Sequence, residues 1–178
     1  MTIFRENLFQ GRTVLITGGG GDICSDIATV FSAHGANVCI TSRKQERIDE
    51  AAKIMREKTG GEVLAVAGDV RNNDDVERVA KTTADHFGGI DILINGAAGN
   101  FPAPIAGLSP NGFRTVIEID LQGTYQMTRA CFEPLKAAAE KHGDASIINI
   151  TATLHYTGVP LQAHVNAAKA GIADLTRT

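Results

Sequence analysis

The residues with the clearest chemical possibilities lie early in the chain. Thr17-Gly18-Gly19-Gly20-Gly21-Asp22-Ile23-Cys24 sets four glycines in a row between a short apolar run and an amphipathic one. Glycines in such a turn let the backbone bend tightly and approach a pyrophosphate, whose charge the start of the next helix favours. A glycine-rich run by itself is as readily a flexible loop. Its position after a strand and before a helix makes it a dinucleotide-binding turn, with Thr17, Gly18, Gly19, Gly21 and Ile23 as candidate cofactor contacts. Asp22 is an unfavourable charge there if it points at the ligand, and a neutral one if it caps the helix.

The type of dinucleotide is set near the end of the second strand. An NAD-preferring site places a carboxylate there for the ribose 2′-hydroxyl. This chain reads Thr41-Ser42-Arg43-Lys44 instead, with no acid. Ser42, Arg43 and Lys44 suit a 2′-phosphate, so NADPH is expected over NADH; the plainer reading is that two basic residues begin a solvated helix.

These residues are held by a chain that alternates strand-like and helix-like runs throughout. Strands are expected at 13–17, 37–41, 62–67, 90–94 and 145–150. Helices are expected from Ile23 to near Gly35, over 45–58 and 74–87, from about Pro110 to Lys141, and over 163–178. Near-continuous apolar runs such as Thr13-Val14-Leu15-Ile16-Thr17 fit parallel strands buried on both faces. Alternation of this kind specifies an α/β architecture, a Rossmann-like doubly wound parallel sheet of order 3-2-1-4-5. A length of 178 residues suits one nucleotide-binding domain.

Composition removes several function classes. The net charge of −3 offers no footprint for nucleic acid. No apolar run approaches the roughly 20 residues that span a bilayer. Cys24, Cys39 and Cys131 are scattered, with no CxxC pair, so a reduced compartment and no metal are expected.

The residues now in view resemble the short-chain dehydrogenase/reductase family along nearly the whole chain. The resemblance rests on the TGGGG turn, Gly68-Asp69-Val70 after the third strand, and Asp91-Ile92-Leu93-Ile94-Asn95-Gly96-Ala97-Ala98-Gly99. It implies that Asp69 and Val70 contact adenine, and that the Asn95 and Ala97 segment closes the cofactor site and supports the sheet. The family's Tyr-x-x-x-Lys pair is incomplete: Lys169 matches the lysine, but Val165 stands at the tyrosine. The expected serine falls on Ala152, between Thr151 and Thr153, and the catalytic asparagine on Asp120. Without a phenol, ordinary ketone chemistry lacks its proton donor.

This set of departures is similar to the 2,4-dienoyl-CoA reductase branch of the family, in its peroxisomal type. The matching segments are Asn95-Gly96-Ala97-Ala98-Gly99-Asn100-Phe101, Asp120, Asn149-Ile150-Thr151-Ala152-Thr153 and His164-Val165-Asn166-Ala167-Ala168-Lys169. The resemblance implies NADPH-dependent reduction of a 2,4-dienoyl-CoA to an enoyl-CoA in fatty acid β-oxidation. Asp120 and Lys169 would be catalytic, Lys169 also holding the nicotinamide ribose. Asn100, Phe101 and Thr151 would line the pocket for a fatty acyl-CoA thioester. Other readings are a related NADPH-dependent enoyl-thioester reductase and a non-catalytic nucleotide-binding relative. His155, Tyr156 and His164 lie near the same edge and are read as structural, and Tyr125 as a packing residue on a buried or subunit-facing side.

The segment 163–178 carries no terminal Gly or Pro, so the natural chain is expected to continue, with further strands beyond the fifth. Peroxisomal location and a homodimer or homotetramer follow from the resemblance alone.

Overall fold

Thr13–Thr17 forms strand β1 with every residue buried, the burial expected of a central parallel strand. The structure, a computed structural model, describes residues 4–178. Around β1 the elements alternate: α1 (Asp22–Ala33), β2 (Asn37–Ser42), α2 (Gln45–Thr59), β3 (Val63–Ala67), α3 (Asn73–Phe87) and β4 (Ile92–Asn95). They are followed by α4 (Pro110–Ile117), α5 (Gly123–Ala130), α6 (Phe132–His142), β5 (Ser146–Asn149), the short α7 (Leu154–Thr157) and α8 (Ala163–Leu175). The five strands form one sheet in the order β3-β2-β1-β4-β5. All pairings are parallel, Ile16 lying beside both Ile40 and Ile94. The expected doubly wound order is the one observed.

Period-two alternation along the strands sorts side chains to two faces. Val14, Ile16, Val38, Ile40 and Ile94 pack with Ala28, Ile48 and Met55 of α1 and α2. Leu15, Cys39 and Leu93 point the other way, onto Val76 and Val79 of α3, Met127 of α5 and Leu135 of α6. Each fully buried Leu or Ile contributes about 2 kcal/mol of transfer free energy. At the outer edge β5 leaves Ile147 and Ile148 exposed.

Local chemistry sets the helix limits. Asn72 caps α3, its Oδ1 accepting the N–H groups of Asp74 and Asp75 at 2.9 and 3.3 Å. Gly60, Gly88 and Gly143 end α2, α3 and α6 in the left-handed region.

Several boundaries differ from the sequence expectation. β4 begins at Ile92; just before it, Asp91 ties both neighbours, its N–H donating to the Thr13 carbonyl at 2.9 Å, its carbonyl accepting the Ser146 N–H at 3.0 Å and its Oδ2 accepting the Thr13 N–H at 2.8 Å. The single helix expected over 110–141 is three helices. Pro134 has no N–H for the Ala130 carbonyl and its ring crowds that group, so the chain breaks at Cys131 between α5 and α6. Between α4 and α5, Glu118–Gln122 is a π-helical turn. The last helix ends at Leu175, where the Thr176 hydroxyl bonds the Ile172 carbonyl at 2.7 Å. Tyr125 is 52% exposed, so of the two sides expected for it the buried one is excluded.

Candidate active site

At the carboxyl ends of the strands, where ligands bind in open α/β sheets, lies a cavity of about 410 Å³. Of the expected cofactor residues, Gly18, Gly21, Ile23, Ser42, Arg43, Asp69, Val70 and Ala97 line it. Gly18 has φ +75° and a Cβ there would stand 2.8 Å from the Gly96 carbonyl oxygen, so only glycine fits without strain. Gly19 packs beneath the turn instead, since its Cβ would lie 2.5 Å from Cβ of Ile40.

The start of α1 faces this cavity with Gly21 at its N-cap and no side-chain cap. Its first N–H groups remain available to an anion, and Asp22 does not take them. Asp22 instead lines the cavity as an exposed acid. Cys24 is buried, and a Cβ on Gly96 would stand 2.3 Å from its Sγ. The thiol is packing, and burial pushes its pKa up.

Thr17 and Asn95 hold the site from behind rather than lining it. The Thr17 hydroxyl accepts the N–H groups of Gly96 and Ala97, both at 3.0 Å, tying β1 to the loop after β4. Asn95 Nδ2 donates to Asn149 Oδ1 at 2.9 Å and to Thr128 Oγ1 at 3.2 Å, joining β4 to β5 and α5.

Arg43 is joined in the cavity lining by Arg47, in the first turn of α2, whereas Lys44 is not among the lining residues. The sequence reading missed Arg47, which lies in the first turn of α2 whereas Arg43 precedes that helix. The buried Thr41 hydroxyl beside them has no hydrogen-bond partner among the described residues. The Asp69 carboxylate receives Arg71 Nε at 3.0 and 3.1 Å, and this guanidinium holds it below the usual carboxylate range.

The second centre is built where the π-helical turn meets α8. Gly171 permits the contact, since a Cβ there would lie 2.7 Å from Cδ2 of Leu121. Asp120 is fully buried and its Oδ1 accepts the Gly99 N–H at 2.7 Å. Its Oδ2 lies 3.4 Å from Nζ of Lys169, which itself donates to the Ile150 carbonyl at 3.0 Å. Burial raises the Asp120 pKa, against the opposing effects of the Gly99 N–H and the Lys169 charge. Val165 is buried, and its side chain has no donor to offer. Asn100 donates to Gln162 Oε1, and the Phe101 ring meets His164 edge-to-face with centroids 4.6 Å apart. Thr151 is half-buried just past β5, outside the cavity lining. Among the described residues no group of three or more His, Cys, Asp or Glu side chains is placed to hold a metal. No described helix is long and apolar enough to cross a membrane.

A parallel sheet of this order, a glycine turn open to a helix N-terminus and a buried lysine on α8 define a nicotinamide-dinucleotide oxidoreductase scaffold. The short chain dehydrogenase family profile matches residues 12–178, and the chain belongs to that family. It is 45% identical to the peroxisomal 2,4-dienoyl-CoA reductase [(3E)-enoyl-CoA-producing] of Arabidopsis thaliana, over 98% of this chain and 59% of that protein. It is 44% identical to the Saccharomyces cerevisiae protein described by the same activity, with the same two coverages. The chain thus spans 59% of the length of these relatives. Among solved structures, the citronellol catabolism dehydrogenase of Pseudomonas aeruginosa superposes with a TM-score of 0.88 at 34% identity, covering 99% of this chain and 70% of that one.

Proposed function

We propose that the chain is the NADPH-binding and catalytic part of a reductase that converts a 2,4-dienoyl-CoA to an enoyl-CoA, acting within a single Rossmann-type unit. The observation that carries the reading is the buried Asp120–Lys169 pair beside an apolar Val165. A site without a hydroxyl acid at that position suits protonation of carbon better than of a ketone oxygen. The names of the relatives support the same reaction and a (3E)-enoyl product.

The residues present fit the cofactor. The Gly18 position excludes a Cβ, the N–H groups of α1 are uncapped, and Arg43 with Arg47 supplies two cations where a 2′-phosphate would lie. When bound, the reduced nicotinamide supplies a hydride to the far end of the diene. The protein's own task is then to bind the thioester, stabilise the dienolate and deliver a proton to C2. Lys169 holds the nicotinamide ribose and its charge favours the anion. Asp120, kept protonated to higher pH by its burial, passes a proton to C2 through a water. Asn100, Phe101 and Thr151 form the acyl side of the pocket. In this reading the protein is a homo-oligomer of the peroxisome, as its relatives' names suggest for location.

Comparing 2,4-dienoyl-CoA with mono-unsaturated 2-enoyl-CoA tests this. Turnover of the dienoyl thioester alone, with a 3-enoyl product, is expected. Equal or faster turnover of the 2-enoyl thioester would replace the assignment with enoyl reduction.

A further inference from the structure

Asp22 is a residue of the glycine turn to which the proposed function gives no part. It opens α1, lines the cavity between Gly21 and Ile23, and is exposed. Its backbone carbonyl accepts the Ser25 hydroxyl at 3.0 Å, while its carboxylate has no hydrogen-bond or ion-pair partner among the described residues. Arg47 lines the same cavity and packs on the turn, since a Cβ on Gly20 would stand 3.3 Å from its Cγ. Even so, its guanidinium is not paired with Asp22.

The cavity is nonetheless built for an anionic ligand. The first N–H groups of α1 are uncapped, Gly18 excludes a Cβ, and the buried Thr41 hydroxyl lacks a partner among the described residues. A carboxylate in the first turn stabilises the empty helix through its macrodipole. A pyrophosphate at the same helix end draws on the same dipole, and meets Asp22 as a like charge. Carboxylate and ligand compete for one positive end.

We propose that Asp22 is an internal competitor of the cofactor, stabilising the empty site and weakening the binding of every nicotinamide dinucleotide by the same factor. Such a penalty leaves the ratio between coenzymes untouched and lowers the affinity of both. A coenzyme with a 2′-phosphate on Arg43 and Arg47 retains the affinity to fill the site, and one without it falls short. Asp22 thereby makes occupancy depend on a phosphate that it does not touch. The inference rests on the dinucleotide reading of the cavity and not on which substrate is reduced.

The test is a fluorescence titration of the full chain with NADPH and with NADH, for the parent, Asp22→Asn and Asp22→Ala. Alanine has no donor to offer a phosphate, so a gain shared by both variants reports the lost charge and not a new hydrogen bond. In about 0.1 M salt both variants are expected to bind each coenzyme about threefold to tenfold more tightly, by the same factor for the two. In about 1 M salt, where screening acts within about 3 Å, the gain should shrink below about twofold. The empty variants should melt about 1–3 °C lower, so that stability and affinity move in opposite directions. Asp26→Asn removes the same charge from an exposed position one turn on, outside the cavity lining, and should move either Kd by less than about twofold.

Parental or weaker binding of both coenzymes in Asp22→Asn and Asp22→Ala overturns the proposal alone. So does an equal gain in Asp26→Asn, which would assign the effect to net charge. A parent and variants that bind neither coenzyme overturn the dinucleotide reading, and the proposal with it.

Discussion

Nζ of Lys169 stands 3.4 Å from Oδ2 of Asp120, the two side chains being 8% and 0% exposed. Removing one partner of so deep a pair leaves the other uncompensated, a loss of about 3–5 kcal/mol. Lys169→Ala is expected to weaken cofactor binding and turnover together. Asp120→Ala is expected to act chiefly on turnover, lowering kcat by about a hundredfold or more with KM for NADPH little changed. Steady-state kinetics of the two variants checks this, and a near-parental rate in Asp120→Ala would remove Asp120 from the mechanism.

The direction of the pH dependence follows from the same carboxyl. Desolvation raises the Asp120 pKa above its ordinary value of about 4. In the proposed mechanism the proton-bearing form is the active one, so its share falls as pH climbs through this raised pKa. The rate is therefore expected to decline with rising pH, along a limb that lies above the usual carboxylate range. Profiles of kcat for the parent and for Asp120→Asn measure it: the limb should vanish in the variant. A rate that rises with pH across that range would mean that the carboxylate acts as a base.

Arg43 and Arg47 both line the cavity, at the place proposed for the 2′-phosphate. A charge-assisted bond contributes about 1.5–3 kcal/mol, so either arginine replaced by Ala should weaken NADPH binding by roughly tenfold to a hundredfold. Binding of NADH, which lacks the phosphate, should hardly move. Fluorescence titration with both coenzymes distinguishes this from a general loss of affinity, in which NADH binding would fall equally.

Gly18 combines a left-handed φ of +75° with a Gly96 oxygen 2.8 Å from where its Cβ would be. Gly18→Ala is expected to cost about 1–3 kcal/mol of stability through backbone strain alone, and to lose cofactor binding. A shift of about 2–4 °C in Tm per kcal/mol is the scale for a chain of this size. An unchanged Tm with full NADPH affinity would show that the turn relaxes without consequence.

Much of this was legible in the residues. The apolar runs around Val14, Ile40 and Leu93 gave the strands and their parallel order, because burial on both faces leaves little room for polar residues. The glycine turn was readable because its φ and close approaches admit few other residues. The break at Cys131 was also written in the chain, since Pro134 cannot continue a helix, but the length of the amphipathic pattern concealed it. Asp120 and Lys169 are 49 positions apart, and no local periodicity links them. They were paired through family resemblance, and only the π-helical turn shows how they come within reach. The burial of His164 and the place of Arg47 at the cavity depend on packing between helices and loops, which residue type alone does not encode.

The most direct measurement is NADPH oxidation on adding 2,4-hexadienoyl-CoA to the full chain of confirmed intact mass. Rapid dienoyl-dependent oxidation, much slower with NADH, is the predicted result and would fix cofactor and reaction together. NADPH binding with no oxidation on adding the dienoyl thioester would contradict the account and leave the protein a nucleotide-binding member of its family.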